Sequence, residues 1–402
     1  MLSLAVLMSL AVADPGVSWT GFRGAGDSVV AGESLPLTWN EKEHVLWSVE
    51  LAGYGQSSPV VWGDAIYVTS VEGENKESLL IACYDLATGK RRWQHSAEAF
   101  LKTKSTEYVS KAAPTPVVDA AGVVAFFESG DLIALDHAGK VRWTRSLLKD
   151  YGAYEGNHGL GTSPAQTAEH VILLVDHGGP SYLAAFQKSD GKTAWKTDRE
   201  SKTSWSSPVV VGGEKGPEIL ISSNGAVESY NATDGKQRWR MTGLKGNTVA
   251  SPSAVDDVVV IGAGDKGMSL ALKRNGSGEL DETAVAWRAE AATSSFGSPL
   301  VYRGKVYFVS KAGVGFCLDL ATGKELWNLR LGDTCWASPI GAGDRVYFFM
   351  KKGETIVYRA DGDRPEEIAR NPLPELKLLY GVAATESSLI LRGGNRLVRL
   401  GK

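Results

Sequence analysis

The sequence predicts an all-β fold: an eight-bladed β-propeller of four-stranded antiparallel blades, closed by an N-terminal strand. Three observations predict it. A motif with an Asx residue, a glycine and a final tryptophan returns about every 40–50 residues. A second motif, usually Ser-Pro, precedes each copy, and the two chain ends carry complementary parts of one more unit. Four short strands in such a period are typical of a propeller.

The tryptophan motif is clearest at Cys83–Trp93 and Cys317–Trp327, which read CYDLATGKRRW and CLDLATGKELW. Asp and the Thr-Gly-Lys run suit a tight turn, because glycine accepts a positive φ and Asx side chains bond the local backbone. The tryptophan provides a large apolar surface for the interface between sheets. Weaker or incomplete copies end at Trp47, Trp143, Trp195, Trp239 and Trp287.

The Ser-Pro motif marks the start of the first strand of each unit. Apolar runs such as residues 65–69 lie between it and the tryptophan motif and predict the next strand. Eight such starts predict eight blades; the alternative is a smaller propeller with irregular extra hairpins. The starts are Ser58-Pro59, Thr115-Pro116, Ser163-Pro164, Ser207-Pro208, Ser251-Pro252, Ser298-Pro299, Ser338-Pro339 and the proline-less Gly381.

The chain ends complete each other. The last unit stops at Leu400 after three strands, and residues 44–49 supply only a last strand. Pairing the two would close the ring and remove an exposed sheet edge. We therefore expect a signal peptide at 1–13, a lead-in segment at 14–43 and the propeller at 44–402.

Composition narrows the class of protein. The 402 residues carry 43 Lys+Arg against 46 Asp+Glu, a formal net charge of −3, which gives no electrostatic basis for binding nucleic acid. An apolar run ends at Ala11 and Ala13, which suits cleavage after Ala13, although no Lys or Arg precedes it. We expect export to the periplasm or the extracellular space, with no transmembrane span. The alternatives are a misplaced start codon or a disordered tail.

Local motifs for metals and nucleotides are weak. Gly262–Gly267 matches a dinucleotide-binding glycine pattern, but a strand rather than a helix follows it, which predicts a hairpin loop. The six histidines show no metal-ligand spacing. The three cysteines, an odd number, predict small buried side chains rather than a disulfide framework.

The pattern Ala-x-Asp-x-x-Thr-Gly-Lys-x-x-Trp resembles the repeat of pyrroloquinoline-quinone-dependent alcohol dehydrogenases. It is similar also to the repeat of the barrel-assembly propeller lipoprotein of bacterial outer membranes. The resemblance covers residues 44–402. Trp19–Gly26 resembles the lead-in of exported quinoprotein-like repeat proteins.

The sequence departs from both relatives. Resemblance to the dehydrogenases implies a quinone stacked on a disulfide of two adjacent cysteines, beside a calcium ion and an aspartate base. This chain has no Cys-Cys pair, and no residue aligns with the calcium ligands or the base. It also lacks a lipid-accepting cysteine after the apolar run. We expect no cofactor; pyrroloquinoline quinone with calcium is the alternative.

The site is predicted on one face of the ring. In a four-stranded blade the d–a and b–c loops share a face, so residues just before each Ser-Pro motif line the mouth of the central funnel. Aromatic and polar side chains stand there, which suits recognition; packing that plugs the channel is the alternative. The candidates are Tyr54, Gln56, Asn157, His158, Trp205, Phe296, Trp336 and Tyr380 from d–a loops, and Asp176, Asn224, Lys311, Lys351 and Arg392 from b–c loops.

Two long d–a loops, at 97–112 and 144–161, would wall one side of this funnel with residues such as Tyr108, Tyr151 and Tyr154. We expect a non-catalytic scaffold whose partners are other exported or envelope proteins. A quinone-dependent or other enzyme is one alternative. A binder of a saccharide or another small ligand in the funnel is the other.

Overall fold

A computed structural model describes residues 18–32, 34–104, 110–213 and 215–402. The predicted signal peptide at 1–13 lies outside these residues. The described chain is almost entirely β-structure, and its sheets form eight blades around a ring. This confirms the predicted eight-bladed propeller. No helix in the described ranges has the length and apolar character needed to cross a membrane.

Three short strands precede the first blade: β1 (Ser18–Trp19), β2 (Val29–Val30) and β3 (Val45–Glu50). Each blade then runs from an inner strand a to an outer strand d. Blade 1 is β4 (Val60–Trp62), β5 (Ala65–Glu72), β6 (Ser78–Asp85) and β7 (Arg91–Glu98). Blade 2 is β8 (Val117–Asp119), β9 (Gly122–Phe126), β10 (Asp131–Leu135) and β11 (Val141–Ser146), followed by helix α1 (Leu147–Tyr151). Blade 3 is β12 (Ala165–Gln166), β13 (His170–Val175), β14 (Ser181–Gln187) and β15 (Thr193–Arg199).

Blade 4 is β16 (Val209–Val211), β17 (Glu218–Ser223), β18 (Ala226–Asn231) and β19 (Gln237–Thr242). Blade 5 is β20 (Ser253–Val255), β21 (Val258–Ile261), β22 (Leu270–Lys273) and β24 (Val285–Arg288), with β23 (Gly278–Glu279) and a 3₁₀ turn (Glu282–Ala284) between the last two. Blade 6 is β25 (Leu300–Tyr302), β26 (Lys305–Val309), β27 (Val314–Asp319) and β28 (Glu325–Arg330). Blade 7 is β29 (Ile340–Ala342), β30 (Arg345–Phe349), β31 (Glu354–Arg359) and β32 (Glu367–Pro372). Blade 8 is β33 (Gly381–Ala384), β34 (Ser388–Gly393) and β35 (Arg396–Gly401), with β3 as its strand d.

The two chain ends close the ring in blade 8. Strand β3 pairs antiparallel with β35, from Val45 opposite Leu400 to Glu50 opposite Arg396. The backbone groups of β35 that would otherwise form an open edge are therefore bonded, as the complementary half-units predict.

The Ser-Pro motifs form a belt of hydrogen bonds around the channel. All of them stand at the start of an inner strand. In blades 1 to 6, the backbone N–H of the Ser or Thr residue donates to the side-chain hydroxyl of the equivalent residue in the next blade. The bonds, 2.8–3.0 Å long, run in sequence through Ser58, Thr115, Ser163, Ser207, Ser251, Ser298 and Ser338.

The belt ends at Gly381, the start without a hydroxyl. A Cβ at Gly381 would lie only 2.5 Å from the Cα of Ser58, so the first and last blades meet too closely there for any side chain.

The motif tryptophans join neighbouring blades. The indole of Trp47 donates to the carbonyl of Leu86 at 2.9 Å, in the c–d turn of blade 1. In the same way Trp287 donates to Leu320 at 2.7 Å. A Cβ on Gly323, in that same turn, would lie 2.5 Å from the Trp287 ring, so glycine is needed both for its positive φ of 70° and for the close approach. The predicted role at the sheet interface is confirmed.

The lead-in segment runs through the central channel, a position that no repeat in the sequence predicts. Strand β1 pairs antiparallel with the inner strand of blade 1, and β2 pairs parallel with that of blade 7. Between them the chain crosses the channel. The N–H of Val118 in blade 2 donates to the Thr20 carbonyl at 2.9 Å, and the Arg23 guanidinium reaches blade 5. The lead-in thereby contacts blades all around the ring.

Candidate functional site

The d–a and b–c loops define one face of the ring, which we call the funnel face. Four aromatic rings from consecutive d–a loops form an aromatic arc on it: Phe296, Trp336, Tyr380 and Tyr54, which precede blades 6, 7, 8 and 1. Successive ring centroids are 5.9, 5.1 and 6.1 Å apart, and the hydroxyls of Tyr380 and Tyr54 lie 2.7 Å from each other. All four side chains are half-buried, so each keeps surface open to solvent.

Two ammonium groups flank the aromatic arc. The Nζ of Lys351 lies 3.9 Å from the centroid of Trp336, and the Nζ of Lys111 lies 5.4 Å from that of Tyr54. At such distances the ring quadrupole attracts the cation. Lys351 is a predicted site residue. Lys111 is not, because it stands in a long loop whose sequence gives no repeat position to compare.

Tyr54 is held by its neighbours on three sides. Its backbone exchanges two hydrogen bonds with Val71, of 3.0 and 2.9 Å. A Cβ at Gly394 would lie 2.5 Å from its ring. Burial, together with the hydrogen bond to Tyr380, raises the pKa of Tyr54, so its hydroxyl stays protonated. Nearby, the Oε1 of Gln56 accepts from the N–H of Lys111 at 2.9 Å, which makes Gln56 an anchor for the 97–112 loop.

A second aromatic contact lies elsewhere on the funnel face. The rings of His158 and Trp205 are 5.7 Å apart, and the Trp205 indole donates to the Gly159 carbonyl at 3.0 Å. Trp205 thus fastens the long 144–161 loop, on which Asn157 and His158 are exposed. Trp205 precedes blade 4 and Trp336 precedes blade 7, so the structure does not join these two tryptophans in one cluster. Tyr108 of the other long loop lies outside the described residues.

The expectation for Asp176 and Arg392 is corrected by their burial. Asp176 is 2% exposed and pairs with the Arg199 guanidinium at 3.1 Å. Arg392 is 0% exposed and donates to Ser57 Oγ at 2.6 Å and Ser70 Oγ at 3.0 Å. Both therefore stabilise loops of the funnel face through buried contacts. The other predicted b–c residues, Asn224 and Lys311, are exposed.

The lead-in forms the floor of the funnel. Trp19, Phe22 and Arg23 line a cavity of only about 30 Å³ together with Trp336 and Tyr380 of the aromatic arc. Toward blades 2, 3 and 4 a further space of about 210 Å³ separates the lead-in from the inner strands. The channel is consequently occupied by the chain itself, a feature without any repeat signal in the sequence.

The aromatic arc does not offer the ligands of a calcium ion with pyrroloquinoline quinone. Calcium prefers carboxylate, carbonyl and amide oxygens, whereas the aromatic arc presents rings and ammonium groups. Cys83, Cys317 and Cys335 are separate buried thiols, so none supplies an adjacent pair. Within the described ranges, no three His, Cys, Asp or Glu residues come together in a metal-binding arrangement.

The chain is similar in sequence to known proteins. Residues 14–165, 155–365 and 278–394 match the model of the family described as outer membrane protein assembly factor BamB. The BamB of Yersinia pestis is 23% identical over 258 residues, 61% of this chain and 63% of that protein. The BamB of Moranella endobia (strain PCIT) is 26% identical over 237 residues, 54% of this chain and 57% of that protein. The chain therefore spans about six tenths of the length of these curated relatives.

Solved structures share the fold at low identity. BamB from Moraxella catarrhalis superposes with a TM-score of 0.65 and 15% identity, over 89% of this chain and 99% of that one. A europium-containing methanol dehydrogenase gives 0.68 and 12%, over 94% and 90%. Quinohemoprotein alcohol dehydrogenase from Comamonas testosteroni gives 0.67 and 12%, over 97% and 81%. The fold is thus common to an assembly factor and to enzymes, and it does not decide the function. The matches to the family model together span most of the sequence, and the chain belongs to the family of outer membrane protein assembly factor BamB, whose members carry the quinoprotein-like propeller repeat.

Proposed function

We propose that the chain is a non-catalytic interaction scaffold of the cell envelope, which holds a segment of another envelope protein on its funnel face. The aromatic arc carries this proposal. Aromatic side chains are enriched at the centres of protein interfaces, where a few of them provide most of the binding energy. Here four of them stand side by side, half-exposed, on four consecutive blades.

The charges beside the arc indicate the chemistry of the partner. Lys351 and Lys111 place two ammonium groups over the rings of Trp336 and Tyr54. An extended segment with apolar side chains for the rings and carboxylates for the lysines would match this surface. The names of the sequence relatives support an envelope protein as the source of that segment. Export, through the predicted signal peptide at 1–13, is part of the proposal.

The closed floor supports a binding role over a catalytic one. The lead-in fills the channel from the opposite side and leaves about 30 Å³ beneath Trp336 and Tyr380. A shallow surface of this kind suits a polypeptide that lies across it, since small-molecule sites are usually clefts of about 300–1,000 Å³.

Photo-crosslinking in the cells of origin tests the proposal. A photoreactive amino acid at Phe296 or Tyr380 is expected to capture the same protein, and one at Lys324, on the opposite face, is expected not to capture it. With that protein purified, Trp336→Ala should weaken binding at least about tenfold, because a ring in the middle of the arc is lost. Lys324→Ala is the matched control and should bind like the wild type. Equal binding by Trp336→Ala, or capture only from Lys324, would refute the proposal.

The enzymatic alternative has its own test. The purified chain is incubated with pyrroloquinoline quinone and calcium, and dye reduction is followed with alcohols and aldose sugars. We expect no turnover above a blank without protein, and no quinone absorbance retained after gel filtration. Retained quinone or clear turnover would make the chain an enzyme of the quinoprotein type instead.

A further inference from the structure

Lys351 is fixed between the two loops that carry Trp336 and Tyr380 of the aromatic arc. Its backbone N–H donates to the Thr334 carbonyl at 2.8 Å, in the loop of Trp336. Its carbonyl accepts from the N–H of Leu379 at 2.8 Å, directly before Tyr380. Its ammonium group lies 3.9 Å from the centroid of Trp336. Backbone hydrogen bonds on both sides therefore hold this residue at its place in the arc.

The ammonium group of Lys351 contacts a ring and, among the residues that the structure describes, no carboxylate. The nearby carboxylate of Asp333 lies beside Lys352 instead, with 3.8 Å between Oδ2 and Nζ. Lys351 is half-buried, so its charge has lost part of its contact with water. A carboxylate brought by a partner would form a charge-assisted hydrogen bond with it. This part of the arc therefore favours an acidic side chain of the partner.

The rings on either side of Trp336 have nearly the spacing of alternate residues in a β-strand. The centroid of Trp336 is 5.9 Å from that of Phe296 and 5.1 Å from that of Tyr380. In an extended chain, residues i and i+2 point to the same side and are about 6.4–6.8 Å apart. The small difference lies within the reach of a side chain. Three alternate residues of one extended segment can therefore each contact one ring.

We propose that the partner segment binds in an extended conformation, with an acidic residue at Trp336 and Lys351 and an apolar residue two positions to each side. The apolar residues contact Phe296 and Tyr380, since no ammonium group of the described chain lies over either ring. The hydroxyl of Tyr380 is already bonded to that of Tyr54. This inference rests on the proposed function and adds the conformation of the segment and the order of its side chains.

Four peptides of equal length, with blocked ends, test the order of side chains on the full chain. The first is Thr-Leu-Thr-Glu-Thr-Leu-Thr, and two others carry glutamine or lysine in place of the glutamate. The fourth, Thr-Leu-Glu-Thr-Thr-Leu-Thr, keeps the composition of the first but moves the glutamate by one position. In NMR titrations the first peptide should bind at least about threefold more tightly than each of the others, as one partly exposed ion pair allows. Equal affinities, tighter binding of the lysine peptide, or no binding of the first peptide at about 5 mM would overturn the inference.

Variants test the role of the lysine. Lys351→Met keeps an unbranched side chain beside Trp336 and removes the charge, so it should bind the glutamate and glutamine peptides equally. Lys266→Met is the matched control, because Lys266 is an exposed lysine of the b–c loop of blade 5 on the same face. It should keep the preference for glutamate. A preference that survives in Lys351→Met would overturn the assignment of the acidic residue to Lys351.

The peptides also separate this inference from the proposed function. If crosslinking from Phe296 and Tyr380 captures one envelope protein while the four peptides bind equally, the order of side chains is wrong and the scaffold function stands. If crosslinking captures no protein and no peptide binds, both are wrong. Capture together with a preference for the first peptide supports both.

Discussion

The backbone N–H of Ser207 donates to the Oγ of Ser251 across the boundary between blades 4 and 5, at 2.8 Å, with both residues buried. This bond is one member of the belt that links seven inner strands. It explains why the sequence repeats a hydroxyl residue before the proline. The hydroxyl accepts a hydrogen bond from a backbone N–H of the preceding blade. That N–H has no strand partner, because the inner strands of different blades do not pair.

Replacing Ser251 by alanine tests the belt. The Ser207 N–H loses its acceptor and stays buried, which should lower the free energy of unfolding by about 1–3 kcal/mol. Denaturant unfolding with an unchanged m-value measures it. Thr115→Ser is the control, since it keeps the hydroxyl that accepts from Ser58, and it should be close to neutral. Equal stability of Ser251→Ala and the wild type would show that the belt contributes nothing.

The contact between Gly323 and Trp287 should make Gly323→Ala more harmful than an ordinary glycine replacement. The new Cβ would clash with the ring at 2.5 Å. Gly304→Ala is the matched control, with a similar φ of 73° and nothing within 4 Å of its Cβ. Left-handed strain costs both variants about 1–2 kcal/mol. Gly323→Ala should lose at least about 1 kcal/mol more, from overpacking. Equal losses in thermal or denaturant unfolding would contradict this.

The repeat made most of the fold predictable. Strand starts, turn glycines and tryptophans each recur in a fixed place, so the sequence predicts eight blades and the face where the d–a loops meet. The loop positions of Arg392 and Asp176 predict that both lie on that face, but a loop position does not reveal burial. Gly55, whose Cβ would lie 2.2 Å from the Arg392 guanidinium, leaves the space that Arg392 fills.

The lead-in was not predictable in the same way. Its strands β1 and β2 have two residues each, too few to show a period, and they pair with inner strands of blades 1 and 7. Arg23 looks like a surface residue in the sequence, yet its partners Pro252 and Ser253 are more than 200 positions away.

Arg23 should hold the lead-in in the channel. It is 3% exposed and donates to the Pro252 carbonyl at 2.9 Å and to Ser253 Oγ at 2.6 Å. Arg23→Met keeps most of the volume and removes these donors, which leaves buried acceptors unpaired and favours local release of the segment. Chymotrypsin should then cut at Trp19 or Phe22 faster than in the wild type. Arg364→Met, at an exposed position, should not change cleavage. Equal cleavage of Arg23→Met and the wild type would contradict the prediction.

His177 should make the long 144–161 loop sensitive to acid. It is 1% exposed, and its Nδ1 accepts hydrogen bonds from the N–H groups of Gly179 at 2.9 Å and Glu155 at 3.2 Å. Protonation of Nδ1 would place its N–H against these two N–H groups and break both bonds. Burial lowers the pKa of His177 from its usual 6.5, although the charges of Glu155 and Asp176 oppose this. A lowered folded-state pKa gives stability that is complete above about 6.5 and lost as the pH falls toward the folded value.

The measurement compares the wild type with His177→Asn between pH 7 and pH 5. The asparagine amide keeps an acceptor for the same backbone groups but does not titrate in this range. We expect the free energy of unfolding of the wild type to fall more steeply with acid than that of the variant, by about 1.4 kcal/mol for each unit by which folding lowers the pKa. All other titrating groups are common to the two proteins and cancel in the difference. Parallel pH profiles would mean that folding does not shift the pKa of His177. The loop would then be held by other contacts, such as the Trp205 bond to Gly159.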